Sequence, residues 1–202
     1  MARYTGPRNK LARKIGEDLG LKSNPLKVAR RLTIRPGQHG AKSRRKTSDF
    51  GTQLQEKQKL KFIYGILEKQ LRKLYTDASK NPTATGAALL SLLERRLDNV
   101  VYRLGWANTR AAARQIVSHA HIQVNGKKMD IPSYRVQVHD VISLTNKGMK
   151  IPAVSEAIKS EAVTSPNWLS NKSGVAKIAR LPERSDVAET IQEQLIVEYY
   201  SR

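Results

Sequence analysis

Residues 108–144 read NTRAAARQIVSHAHIQVNGKKMDIPSYRVQVHDVISL, and the spacing of the apolar positions changes within this stretch. Behind Asn108, a residue type that caps helices, Ala113, Ile116, Val117 and Ala120 fall on one helical face, and Arg110 and Arg114 project from another. From Ile122 the period becomes two. Ile122 and Val124 alternate, Asn125-Gly126 is the dipeptide favoured in two-residue hairpin turns, and Lys127 to Ile131 returns. Tyr134, Val136 and Val138 alternate again, and Val141 to Leu144 adds a last apolar run. Upstream, Leu89, Leu93, Leu97, Val100 or Val101, and Leu104 advance by three or four until Gly105. Two helices followed by a small sheet predict a module of roughly fifty residues over 94–145.

Asn81 to Gly86 (NPTATG) interrupts the helical pattern and reads as a linker. Before it, Leu60, Ile63, Leu67, Leu71 and Leu74 predict one helix from about Thr52 to Tyr75. Lys57, Lys61, Lys69 and Lys73 form another row of that helix, which suits either a solvated face or RNA contact. Leu11, Ile15 and Leu19 predict a short helix ending at Gly20, and residues 35–46 read as an exposed cationic loop. At the other end Pro152 to Val163 suits a helix and Val175 to Ala179 a strand, while Leu195 to Tyr200 suits either. The expected fold is α+β: a mainly helical N-terminal domain with a basic extension (1–93), the inserted two-helix and β-sheet module (94–145), and a C-terminal segment (146–202) packing back on the helical domain.

The charge points to a polyanion. Of 202 residues, 37 are Lys or Arg and 17 are Asp or Glu, a net +20 that exceeds what solubility requires. The excess is graded: residues 1–50 carry 14 basic and 3 acidic side chains, and residues 146–202 carry 8 and 7. The near-neutral tail is suited to a protein contact. Cysteine is absent, which excludes disulfides, thiol catalysis and cysteine-based zinc sites. No run approaches the ~20 apolar residues of a bilayer span, and the first residues lack the apolar stretch of a secretory signal. These features predict a soluble intracellular chain with no membrane partner.

Catalytic signatures are missing: there is no phosphate-binding glycine loop, no dinucleotide fingerprint, no nucleophile elbow and no H-E-x-x-H. His119 and His121 stand two apart, whereas helical metal pairs favour wider spacing, so neither a metal nor another cofactor is expected. Phosphate contacts from Lys and Arg supply sequence-independent affinity, and folded RNA is read largely by shape and backbone. Charge spread over the whole front half favours RNA over duplex DNA, for which Arg110 and Arg114 on a helix-turn-helix are the competing device.

Five further passages make the chain familiar: MARYTGPRNKLARK (1–14), PGQHGAKSRRKTSDFGTQLQEKQKLKFIYGILEKQ (36–70), LLERRLDNVVYRLGWANTRAAARQIVSHAHIQVNG (92–126) with IPSY (131–134), ARLPERSD (179–186) and EQLIVEYYSR (193–202). Together they resemble the bacterial small-subunit ribosomal protein four family, over essentially the whole chain. The resemblance implies a structural, non-enzymatic constituent of the small ribosomal subunit, in the cytoplasm or an organelle. It further implies a primary 16S rRNA-binding protein that joins the 5′ domain and nucleates assembly of the subunit body. On the module it places Arg96, Arg103, Arg110, Arg114, His119, Asn125, Lys127 and Tyr134 toward rRNA. The family's N-terminal segment also lies on rRNA, which matches Arg3, Tyr4, Arg8, Lys10, Arg13 and Lys14, with Lys57 and Lys61 added from the helix. Lys42, Arg44, Arg45 and Lys46 resemble the loop that lines the mRNA entry channel. The tail, with Glu193, Glu198, Tyr199 and Tyr200, is the candidate contact with small-subunit protein five, an interface linked to decoding accuracy.

Two departures from the family stand out. Many relatives bind zinc through four N-terminal cysteines, none of which exists here, so this is a zinc-free form whose N-terminal knuckle is held by packing and rRNA. His139 precedes Asp140 where glycine is common, so that turn is built differently. The competing readings are an RNA-modifying or tRNA-handling protein that uses the same module, and a basic protein of duplex DNA or membrane surfaces.

Overall fold

In the computed structural model, which describes residues 3–42, 47–159, 165–172 and 174–202, Asn125 and Gly126 have φ of 51° and 78°. Positive φ at both central residues matches the right-handed twist of the flanking strands. The turn joins β1 (Ile122–Val124) to β2 (Lys127–Met129), with Val124 opposite Lys127. On the other edge of β1 lies β3 (Val141–Leu144), which pairs Ile122 with Leu144. The sheet continues beyond the expected module: β4 (Leu169–Lys172) and β5 (Val175–Ile178) complete the antiparallel order β2-β1-β3-β5-β4.

This sheet belongs to a unit spanning Ala87–Ala188. Its helices are α5 (Thr85–Glu94, whose first two residues precede the unit), α6 (Leu97–Arg103), α7 (Arg110–Ser118), α8 (Asn146–Met149) and α9 (Pro152–Lys159). The side chains of Leu97, Val100 and Val101 from α6, Val117 from α7, Ile122, Ile142 and Ile178 from the sheet, and Trp106 and Trp168 form one buried core. Thr109, not Asn108, caps α7, its hydroxyl accepting the Ala112 N–H at 3.2 Å.

Residues 134–138 form no strand, contrary to the alternation. Instead, the carbonyls of Pro132 and Tyr134 accept the N–H groups of Asp98 and Leu97, and the Val136 N–H donates to the Arg95 carbonyl at 2.9 Å. These bonds break the apolar run 89–104 into α5 and α6 at Arg95-Arg96 and bury Val136.

The other unit comprises Met1–Gly86 and Glu189–Arg202. It contains α1 (Arg8–Ile15), α2 (Pro25–Ala29), α3 (Asp49–Ile63), α4 (Glu68–Ala78) and α10 (Glu193–Tyr200), with α10 packed on α3. The expected 52–75 helix is two helices. Gly65, at φ 61°, donates to the Phe62 carbonyl and Ile66 to the Lys61 carbonyl, the paired bonds that end a helix at a left-handed glycine. Likewise α1 stops at Gly16, φ 93°, before the expected Gly20. Asn24 caps α2 ahead of Pro25, a start signal that the sequence reading passed over.

The architecture is α+β, in two units that divide after Gly86 and again after Ala188. Residues 146–188 join the module's unit because β5 hydrogen-bonds to β3, and only 189–202 return to the helical unit.

Candidate nucleic-acid interface

Helices α6 and α7 bring the module's arginines together around two carboxylates. Arg96 forks onto Asp98, with Nε to Oδ1 at 3.1 Å and Nη2 to Oδ2 at 2.8 Å. Arg114 donates to the same Oδ2 at 3.4 Å. Arg103 forks onto Glu94 at 2.9 and 2.8 Å, and the Asn99 amide donates to Glu94 at 2.8 Å while its oxygen accepts from Arg110 Nε at 2.8 Å. Arg110 also lies over the Tyr102 ring, 4.4 Å from its centroid.

This geometry shows what the module's arginines do within the chain. Arg96 and Arg114 retain only 4% and 7% of their accessible surface. Buried charges persist when paired and hydrogen-bonded, and these two hold α6 and α7 in register. Arg103 and Arg110 are anchored in the same network at partly buried positions.

The hairpin remains open to solvent, with His119 and Lys127 exposed beside it. Asn125 is exposed too, but its amide nitrogen donates to Asp140 Oδ1 at 2.9 Å and its oxygen accepts the Val141 N–H at 2.9 Å. Its side chain therefore fastens the turn to β3. Tyr134 packs against the core, half-buried. His139 keeps the positive φ, 72°, that glycine adopts without strain.

In the helical unit Arg3, Tyr4, Lys10, Lys14 and Lys42 are exposed. Arg13 is an organiser instead: its Nε donates to the Ile34 carbonyl at 2.8 Å and its Nη2 to the Arg35 carbonyl at 3.1 Å. Arg8 Nη1 reaches the Leu21 carbonyl at 3.4 Å. These bonds, with buried Ala12, Ile15, Leu19 and Val28, hold the cysteine-free knuckle. Among the described residues no group of three or more His, Asp or Glu is arranged to hold a metal ion. Arg44, Arg45 and Lys46 lie outside the described residues.

Lys57 and Lys61 are likewise paired within the chain. Both ammonium groups pair with Glu68, at 3.0 and 3.4 Å, and Lys57, 3% exposed, lies 4.4 Å from the Tyr199 ring centroid. The four tail residues proposed for a protein contact are engaged inside this unit. Glu198 accepts from Gln53 at 2.9 Å, Tyr199 lies 5.7 Å from the Phe50 ring, and Tyr200 stacks on Tyr75 at 4.7 Å and donates to Glu68 at 2.8 Å. Glu193 sits against Gly86. Burial acts to raise the Glu68 carboxyl, but the bonds from Lys57 and Tyr200 outweigh it and hold the group below its ordinary value. Burial and the same carboxylate push the Tyr200 phenol well up.

Sequence reasoning missed the cross-link between residues 95–98 and 132–136, which joins Arg95 to Val136 and pairs Arg96 with Arg135. Local spacing carries no signal for it, because the two segments stand some forty positions apart. No helix among the described residues is long and apolar enough to cross a membrane.

Known proteins match this chain along its whole length. Residues 3–94 match the family described as the ribosomal protein S4/S9 N-terminal domain, and residues 95–142 match the S4 domain. Small ribosomal subunit protein uS4 of Methylobacillus flagellatus is 52% identical over 204 residues, covering 100% of this chain and 98% of its own length. The proteins of the same name from Parabacteroides distasonis and Brevibacillus brevis are 50% and 47% identical, with 100% of both chains covered in each comparison. With both of its parts matched in order and identity near one half from end to end, the chain belongs to the uS4 family of ribosomal proteins.

Proposed function

We propose that this chain binds the 5′ domain of 16S rRNA early and nucleates assembly of the body of the small subunit. As a uS4 protein it is a structural, rRNA-binding constituent of that subunit and not an enzyme. The observation that carries the finer reading is the distribution of free cations. Arg3, Lys10, Lys14 and Lys42 are exposed in the N-terminal part of the helical unit, and Lys127 is exposed on the hairpin of the other. Two separately folded basic surfaces on one chain suit a junction of several RNA helices, which has more than one backbone to hold.

In this reading the buried arginines set the shape of the module, and the exposed lysines together with Arg3 and Tyr4 make the contact. Lys42 with Arg44, Arg45 and Lys46 borders the path of incoming mRNA, and the tail around Glu193, Glu198, Tyr199 and Tyr200, partly exposed on the helical unit, contacts small-subunit protein five and so contributes to decoding accuracy. The chain acts in the cytoplasmic small subunit. The test is competition: binding to a 5′-domain rRNA fragment survives an excess of bulk tRNA, and equal affinity for both overturns the assembly role. The loop is tested separately by R44A/R45A/K46A, which leaves rRNA affinity intact and slows passage through structured mRNA.

A further inference from the structure

Asn125-Gly126 is the only Asn-Gly pair in the sequence, and both residues are exposed at the tip of the β1–β2 hairpin. A following glycine leaves the peptide nitrogen unshielded by a side chain, which is where an asparagine carboxamide most readily cyclises onto the backbone. Asparagine is thermolabile for this reason. Here the carboxamide is engaged at both ends. Its Nδ2 donates to Asp140 Oδ1 at 2.9 Å, and its Oδ1 accepts the Val141 N–H at 2.9 Å. The main chain adds a third tie, the Asn125 N–H donating to the Val141 carbonyl at 2.8 Å. Asp140 is itself fixed and only 9% exposed: its second oxygen accepts the Gln137 N–H at 2.7 Å, and its carbonyl accepts the Ile178 N–H at 3.1 Å. The Asn125 side chain is thus tied to β3 and the residue before it, away from its own chain neighbour.

We propose that Asn125 is a latent deamidation site: the hold of Asp140 and Val141 keeps its carboxamide from the Gly126 nitrogen, and conversion, once it occurs, unfastens the hairpin from β3. The Gly126 N–H gives its proton to solvent and the nitrogen attacks Asn125 Cγ. The Cγ–Nδ2 bond then breaks, and ammonia leaves with a proton from solvent. Water opens the cyclic imide. Cleavage of the new N–Cγ bond gives aspartate, cleavage of the original peptide C–N bond gives isoaspartate, and nothing is oxidised or reduced. Each product opposes the lock. Aspartate loses the N–H that faced Asp140 and sets a second carboxylate against the first, where like charges repel. Isoaspartate adds a carbon to the main chain of a two-residue turn that fixes the strand register. Both also place a negative charge next to the exposed Lys127. The consequence for RNA rests on the rRNA-binding reading above: the hairpin's hold on phosphate weakens.

The test incubates the full chain at one mildly alkaline pH and follows aspartate and isoaspartate at position 125 by peptide mapping and mass spectrometry. The wild type converts in urea and much more slowly when folded. D140N keeps an oxygen for the Gln137 N–H and speeds conversion of the folded chain several-fold, and D140A speeds it about ten-fold, the loss of one hydrogen bond to a charged group. Each variant is measured at a temperature where it is fully folded. No conversion in urea, equal rates in folded and unfolded wild type, or variant rates equal to wild type overturn the site or its lock. N125D reports the product. Its melting temperature falls, and N125D/D140N recovers it, because donor and carboxylate have exchanged places; an unchanged N125D, or no recovery in the pair, overturns the unfastening. N125D also binds a 5′-domain rRNA fragment several-fold more weakly, and equal affinity overturns the consequence for RNA. Failure of the wild type to prefer rRNA over tRNA, with the conversion rates as stated, removes the assembly reading and leaves the modification site.

Discussion

Asp98 holds the Arg96 guanidinium through two hydrogen bonds, at 3.1 and 2.8 Å, and the same carboxylate receives Arg114 from the neighbouring helix. One acid thereby joins the start of α6 to the middle of α7. Removing one partner of a buried pair leaves an uncompensated charge. D98A therefore destabilises the sheet-containing unit by about 3–5 kcal/mol, measured by urea denaturation, and R96M/D98L/R114M recovers much of the loss because none of the three charges is then left without its partner at Asp98.

Two lysines of equal charge separate structure from binding. K57M lowers the denaturation midpoint of the helical unit, because Glu68 and Tyr199 lose their buried partner, and leaves the salt dependence of rRNA binding unchanged. K127A, on the exposed hairpin, leaves the midpoint unchanged and lowers the salt slope by about one. The reverse assignment appears directly in the same two measurements.

The Glu68 cluster makes the helical unit acid-sensitive. Its carboxyl lies below the ordinary value of 4.5 in the folded chain, so its stabilising contribution is fully present above that value and is lost as pH falls through the lower, folded one. A pH series of melting temperatures shows this decline in the wild type. E68Q flattens it, and Y200F, which removes the 2.8 Å bond, moves the decline to higher pH.

His139 has a left-handed backbone that costs about 1 kcal/mol for a residue with a Cβ. H139G relieves that strain and, after the added flexibility of the unfolded chain, raises stability by about 0.5 kcal/mol. Thermal melting checks the sign, and the neighbouring bonds of Asp140 to Asn125 and Gln137 remain.

Much of the fold was legible because its signals are local. The Asn125-Gly126 turn, the change of period at Ile122 and the strand at Val141 to Leu144 each depend on a few adjacent residues. Helix breaks were harder. The apolar rows run through Gly65 and through Arg95-Arg96 without a fault, yet a left-handed glycine interrupts one and a distant segment, 132–136, interrupts the other. The Tyr134 to Val138 alternation misled for the same reason: its hydrogen bonds go to residues 95–98 and not to a neighbouring strand.

Residue types and order by themselves determined the polyanion partner, the absence of a cysteine-based metal site, the α+β class and, through the family's passages, the ribosomal assignment. Tertiary structure alone decided which cations remain available to that partner. A Lys or Arg is free or engaged according to the carboxylates within reach, and those lie far away in sequence: Arg114 meets Asp98 across 16 positions, and Tyr200 meets Glu68 across 132. Charge counts add along a chain, but desolvation and pairing are set by distance in space, so Lys57 and Arg96 are buried while Lys127 stays in water.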